Sequence, residues 1–163
     1  MPIRIRQSAS APAKPSSPPG SPTSPSSPRS PRFKSHHMES SSGEAPLSHP
    51  GIAQASCEHR VPLKRLDVYM CQGGVNVATL LRATRGDLVE EAVERGLSAL
   101  VDEQWTCIIS GPRSRSKPPT YRVQIVYKAN ATRSKLQDPL KPVAMERTQN
   151  VPGLMTILRR NDD

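Results

Sequence analysis

Tyr121-Arg-Val-Gln-Ile-Val-Tyr-Lys128 is the stretch that decides the fold. Tyr121, Val123, Ile125 and Tyr127 occupy alternate positions, with Arg122, Gln124 and Lys128 between them. A strand turns successive side chains to opposite faces, so this pattern predicts a strand with one side for a core. Upstream, Ser98 to Ile109 has the same period, with Val101, Trp105, Cys107 and Ile109 on one face and Glu103 as the discord. Both runs are rich in β-branched and aromatic residues, which suit a pleated surface. The loop between them, Ser110 to Thr120, carries Gly111, Pro112, Pro118 and Pro119 around Arg113, Arg115 and Lys117. An antiparallel hairpin with a long basic tip is the economical reading.

Working toward the N-terminus, Val77, Leu80, Leu81, Thr84, Leu88 and Ala92 recur at helical spacing, and Gly96 is placed to stop a helix after Arg95. Gly86 is a candidate interruption, because Asp87 followed by Glu90 reads as a capping box able to start a second segment. Before the helix, Leu63 to Cys71 reads as a strand in which Leu66, Val68 and Met70 alternate with Asp67, Tyr69 and Cys71, ended by Gln72-Gly73-Gly74. The order is β-α-β-β, an α+β domain expected over residues 61–163. Beyond Ala129 periodicity is lost until Val151, Leu154, Met155, Ile157 and Leu158. Pro152-Gly153 disfavours a long helix there, and an apolar cluster of this kind is expected to dock on the domain rather than face water.

Residues 1–60 read as a disordered arm and linker. From Ala11 to Arg32 the prolines form two period-three tracks, each a ridge of a polyproline II helix. Five Ser-Pro pairs begin at Ser17, Ser21, Ser24, Ser27 and Ser30. They are candidates for a proline-directed kinase, and the ridges are what aromatic grooves of SH3 or WW type bind. Phe33 to Arg60 continues as a polar linker broken by Pro46, Pro50 and Gly51.

The net charge is +9 and the mean hydropathy -0.56, and only 3% of residues are aromatic. Such a balance favours anionic partners without choosing among nucleic acid, a membrane surface or an acidic protein. A domain of this size hides only about 60% of its surface, so a homo-oligomer is expected. Three cysteines, Cys57, Cys71 and Cys107, form no CxxC pair, and no secretory leader or membrane-spanning run is present. A cytoplasmic or nuclear protein with reduced thiols, and no membrane partner, is the expectation. Met1 to Met38 lacks acids, as a mitochondrial transit peptide does, but its prolines oppose the amphipathic helix of such peptides.

Candidate chemistry is thin. Cys57, His59 and Cys71, with His36-His37, are soft-metal donors lacking the second spaced pair that metal sites carry, so no metal or cofactor is expected. Cys107 reads as a small hydrophobe in a strand. Asp102-Glu103 are strand neighbours that point apart, so they do not flank one substrate as acid and base, and strand-edge solvation is the reading. Arg85-Gly86-Asp87 spells a cell-adhesion tripeptide within a helical pattern, a chance match. The Gln72 to Asn76 turn has the position of a phosphate cradle without its glycine signature. Arg113, Arg115, Lys117 and Arg122 form the best local anion site, and Trp105, Tyr121 and Tyr127 would stack on bases if they faced solvent. A non-catalytic binding or scaffold module that self-associates is the preferred function, with RNA or DNA binding by the hairpin loop as the alternative and a metal protein or enzyme third.

Two stretches carry a resemblance: Ala99-Leu-Val-Asp-Glu-Gln-Trp-Thr-Cys107 leading to Tyr121-Arg-Val-Gln-Ile-Val-Tyr127, and Val151-Pro-Gly-Leu-Met-Thr-Ile-Leu158. They resemble small fungal proteins with a variable Ser/Pro-rich front, over Leu63 to Arg160, which implies no particular activity. The turn Glu94-Arg-Gly-Leu-Ser-Ala-Leu-Val101 is similar to the helix-to-strand turn of the YbjQ-like family. That resemblance implies a small oligomeric α+β fold sometimes labelled heavy-metal-binding, with no ligand cluster here to carry over.

Overall fold

The hairpin strands pair as their alternation requires. In the computed structural model, which describes residues 36–113 and 117–162, β3 (Ala99–Gly111) runs antiparallel to β4 (Thr120–Thr132). Trp105 lies opposite Tyr127, Cys107 opposite Ile125 and Ile109 opposite Val123. β2 (Val61–Gln72) lies on the other side of β4, so Cys107, Ile125 and Asp67 form one cross-sheet row. β1 (His36–Ser41) and β5 (Thr156–Asp162) are the edges of a five-stranded antiparallel sheet of order β1-β3-β4-β2-β5. With one helix, α1 (Val77–Glu94), the architecture is α+β. A turn of 3-10 helix at Met145–Arg147 completes the elements. No helix among the described residues is long and apolar enough to cross a membrane.

The predicted β-α-β-β series is present as β2-α1-β3-β4 and is extended by a strand at each end. The linker expected over Phe33 to Arg60 is folded from His36 onward, so the domain does not begin at Val61. Met38 pairs with Ile109 and Ser40 with Cys107, Ser42 donates its backbone N–H to Trp105 O at 3.0 Å, and Ile52 is buried. On the inward side of β1 Met38 packs against the core but Ser40 fills the next position, buried and polar, so the hydropathy pattern has little to show. At the other end the apolar cluster docks only in part. Val151 and Met155 pack on the core, and Ile157 and Leu158 enter strand β5, which pairs with Cys71 and Gln72 and, across a register shift, with Asp67 to Met70. Leu154, Ile157 and Leu158 stay exposed, contrary to the expectation that the cluster would turn from water.

Asn76 caps α1, its side chain accepting from the Thr79 N–H at 3.1 Å. The helix runs unbroken through Gly86 to a Schellman ending, in which Gly96 at φ 73° allows the Leu97 N–H to reach Ala92 O and the Gly96 N–H to reach Val93 O, both at 2.9 Å. The expected restart at Asp87 does not occur. The helix buries Leu80, Leu81, Leu88 and Ala92 against Tyr69, Cys71, Trp105, Cys107, Val123, Ile125 and Tyr127. Asp67, Tyr69 and Cys71 are thus the inward set of β2, and Leu66, Val68 and Met70 the outward set.

A bulge corrects the reading of β3. Val101 faces Asn130 but Gln104 faces Lys128, so one extra residue is inserted, with Asp102 in the left-handed region at φ 50°. Glu103, two residues before Trp105, stays on the α1 side, and the bulge moves Val101 to the opposite side. There Val101 joins Ile52 and Ala99 in a separate small cluster.

Candidate functional site

Two ionic clusters anchor the helix to the sheet. Arg85, 1% exposed, stands in the apolar stripe of α1 and is therefore costly to bury unless every N–H finds an acceptor. Its Nε and Nη2 donate to Glu103 at 2.7 and 2.8 Å, and its Nη1 and Nη2 donate to Asp138 at 2.8 and 3.0 Å. Tyr127 donates its hydroxyl to Glu103 at 2.5 Å, and the Leu100 N–H donates to Asp138 at 3.0 Å. Burial opposes ionisation of Asp138, but Arg85 and the N–H groups of Leu100 and Leu140 outweigh it and hold the carboxyl below its ordinary range. Burial, with Glu103 beside it, pushes the Tyr127 phenol far up. Glu103 is fully buried, so strand-edge solvation is corrected for it.

The second cluster centres on Asp67, also fully buried. Thr84 donates to it at 2.7 Å and Tyr69 at 3.1 Å, while Arg65 and Arg160 pair with both Asp67 and Asp87. Burial would raise the pKa of Asp67, yet Thr84, Arg160 and Arg65 together lower it. Arg160 lies 5.3 Å from the Tyr69 ring centre and so ties β5 to the helix side of the sheet. Arg85 and Asp87 of the adhesion-like tripeptide are thus structural, one in each cluster.

The phosphate-cradle position is filled by the chain itself. Val75 and Val151 exchange backbone hydrogen bonds at 3.0 Å, the Val77 N–H donates to Asn150 Oδ1 at 2.8 Å, and the Asn76 N–H donates to Met155 S at 3.2 Å. Gly73 and Gly74 are needed because the backbone of Gly153 and Leu154 lies directly against them. The Gly73, Val75, Asn76, Val77 and Thr79 amides of this turn are thus already committed.

The metal donors are not brought together. Cys71 is sealed in the core, whereas Cys57 and His59 are exposed, and among the described residues no group of three or more such donors converges. Burial raises the Cys71 thiol to about 11, and burial together with Cys71 raises Cys107 to about 12. Trp105 and Tyr127 are buried beneath α1, and Tyr121 packs on the same core, so the stacking platform proposed for bases is absent. Arg113 and Lys117 are exposed, and Arg122 is half-buried and donates to Gln124 at 3.1 Å. Arg115 and the Ser-Pro positions Ser17, Ser21, Ser24, Ser27 and Ser30 lie outside the described residues.

Arg122 belongs to a surface that the sequence reading did not assemble. Registers place Ser41, Thr106, Val126 and Leu66 in one row across the face opposite α1. The next rows are Glu39, Ile108, Gln124, Val68 and Asn161, then His37, Ser110, Arg122, Met70 and Arg159. Lys64 and Lys128 stand directly opposite each other on the same face. Val68 is only 7% exposed yet belongs to neither core cluster.

The chain is thus an antiparallel α+β domain whose ionisable groups inside are spent on one another and whose second sheet face carries an apolar centre and a cationic rim. Compared with protein-family models, curated proteins and solved structures, it matches none, and neither resemblance drawn from the sequence finds support there.

Proposed function

We propose that the chain is a non-catalytic binding or scaffold module that self-associates through the edge strand β5. The observation that carries this reading is the exposed apolar surface at that edge: within the strand Leu158 is 52% exposed and Ile157 45%, and Leu154, two residues before it, is 89% exposed. An edge strand offers unpaired N–H and C=O groups, and monomeric proteins blunt such edges with charge or cover. Antiparallel pairing of β5 with a second copy, centred on Leu158, satisfies those groups, brings Leu158 against its own image and sets Arg159 opposite Ile157. In this reading the Ser-Pro pairs are where a proline-directed kinase lowers the charge of the arm.

Light scattering at tens of micromolar is expected to give a dimer, and Leu158→Lys, an exposed position, to give a folded monomer. A wild-type monomer under those conditions overturns the proposal.

A further inference from the structure

We infer that the open sheet face is a docking surface for an acidic segment of a partner protein, one with carboxylates at both ends and apolar side chains between. Leu66, Val68, Met70, Ile108 and Val126 form the centre, and among the described residues none of them belongs to either core cluster. Lys64 and Lys128 stand at one end, and Arg122 and Arg159 at the other. No ion pair among the described residues involves any of these cations.

Lys64 and Lys128 are the sharpest clue. Directly opposed residues of adjacent strands have Cβ atoms ~5 Å apart, and like charges there destabilise the sheet. Both lysines line a recess of about 330 Å³ with Pro46, Gln104, Asp102 and Asn130. The Gln104 amide donates to Gly43 O and Glu44 O, both at 2.9 Å, and Asn130 donates to Asp102 at 3.0 Å, so those amides are satisfied. Two lysines against the single carboxylate of Asp102 leave the recess with an excess of positive charge for an occupant. A carboxylate between the lysines relieves their repulsion. At the other end Arg122 and Arg159 flank Met70, two strand spacings or ~9.5 Å apart.

The ends are separated by the six-residue step from Arg122 to Lys128, ~20 Å along a strand. A helix of ~13 residues covers that length. Charge complementarity argues against a second copy as occupant, because Glu39 is the one exposed acid on these rows. It also favours protein over nucleic acid, since no Phe, Tyr or Trp among the described residues lies on this face to stack on a base, and His37 stands only on its edge strand.

Fluorescence anisotropy with the full chain tests this with three labelled probes. They are a helical peptide of that length with Glu at both ends and Leu and Ala between, an all-Glu peptide, and an oligothymidylate of equal charge. The first is expected to bind at least ~10-fold tighter than the others, and Val126→Gln to remove that preference. Lys64→Glu is expected to weaken its binding about tenfold while leaving the melting temperature unchanged or higher, and Arg159→Glu to do the same from the other end. Oligothymidylate bound as tightly or tighter reassigns the face to nucleic acid. Equal binding of the two peptides, or none, overturns the inference. Leu158→Lys, which dissolves the proposed dimer, leaves this binding intact, so the two proposals fail separately.

Discussion

Arg85 of α1 and Glu103 of β3 meet in two parallel hydrogen bonds, at 2.7 and 2.8 Å, both side chains almost wholly removed from water. Glu103 keeps the inward side of Trp105, two residues on, and the left-handed Asp102 beside it inserts the bulge that turns Val101 to the other face. Removing one partner of such a pair leaves an uncompensated charge, at a cost of about 3–5 kcal/mol. Arg85→Met is therefore expected to destabilise the domain by that amount in urea denaturation. Adding Glu103→Gln and Asp138→Asn is expected to recover part of it, because the orphaned carboxylates are gone. A triple variant less stable than Arg85→Met contradicts the account.

Acid stability follows from the same clusters. Asp67 and Asp138 both have pKa values lower in the folded chain than the ordinary 3.8. Their contribution is therefore present above about pH 4 and is lost as pH falls through the lower folded values. The urea midpoint is expected to be flat near neutrality and to drop below about pH 4. Asp138→Asn should be less stable at pH 7 and show a shallower acid limb.

Much of this was legible in the residues, and the failures share one cause. Period-two runs and one helical stripe marked β2, α1, β3 and β4 because each has one apolar side. Glu103 and Arg85 were visible as discords of opposite sign, one in a strand face and one in a helix stripe. Pairing them across elements would have found the cluster. The bulge gave no signal, since Asp rather than Gly occupies the positive-φ position. β1 was hidden because its buried positions include Ser40. The open face needed strand register: Lys64 and Lys128 are unremarkable apart and become a site only when opposed.

Thiol chemistry separates the cysteines. Cys57 is exposed, while Cys71 and Cys107 are buried with pKa values raised to about 11 and about 12. Nucleophilic attack needs thiolate and access, and the buried pair lacks both. Titration with a disulfide reagent at neutral pH is expected to show Cys57 reacting at once and the other two only at the rate of unfolding. Rapid reaction of all three cysteines in the native state contradicts the sealed core.

Gly86 and Gly74 are expected to respond to alanine with opposite signs. A Cβ on Gly86 meets nothing within 4 Å, and the residue sits inside α1, where glycine costs roughly 1 kcal/mol relative to alanine. Gly86→Ala should raise stability by about that much, as the chain no longer loses glycine's extra freedom on folding. A Cβ on Gly74 would stand 2.6 Å from the carbonyl oxygen of Gly153, a rigid neighbour that cannot rotate away. Gly74→Ala must push the segment around Gly153 outward, at a cost of about 1–3 kcal/mol for the overpacking. That displacement also strains the Val75 to Val151 bridge, just ahead of β5 in the chain. Hydrogen exchange should therefore quicken at Val151 and along β5 in Gly74→Ala while the β3–β4 amides stay protected, and uniform loss of protection would mean that the C-terminal segment is not held at this turn.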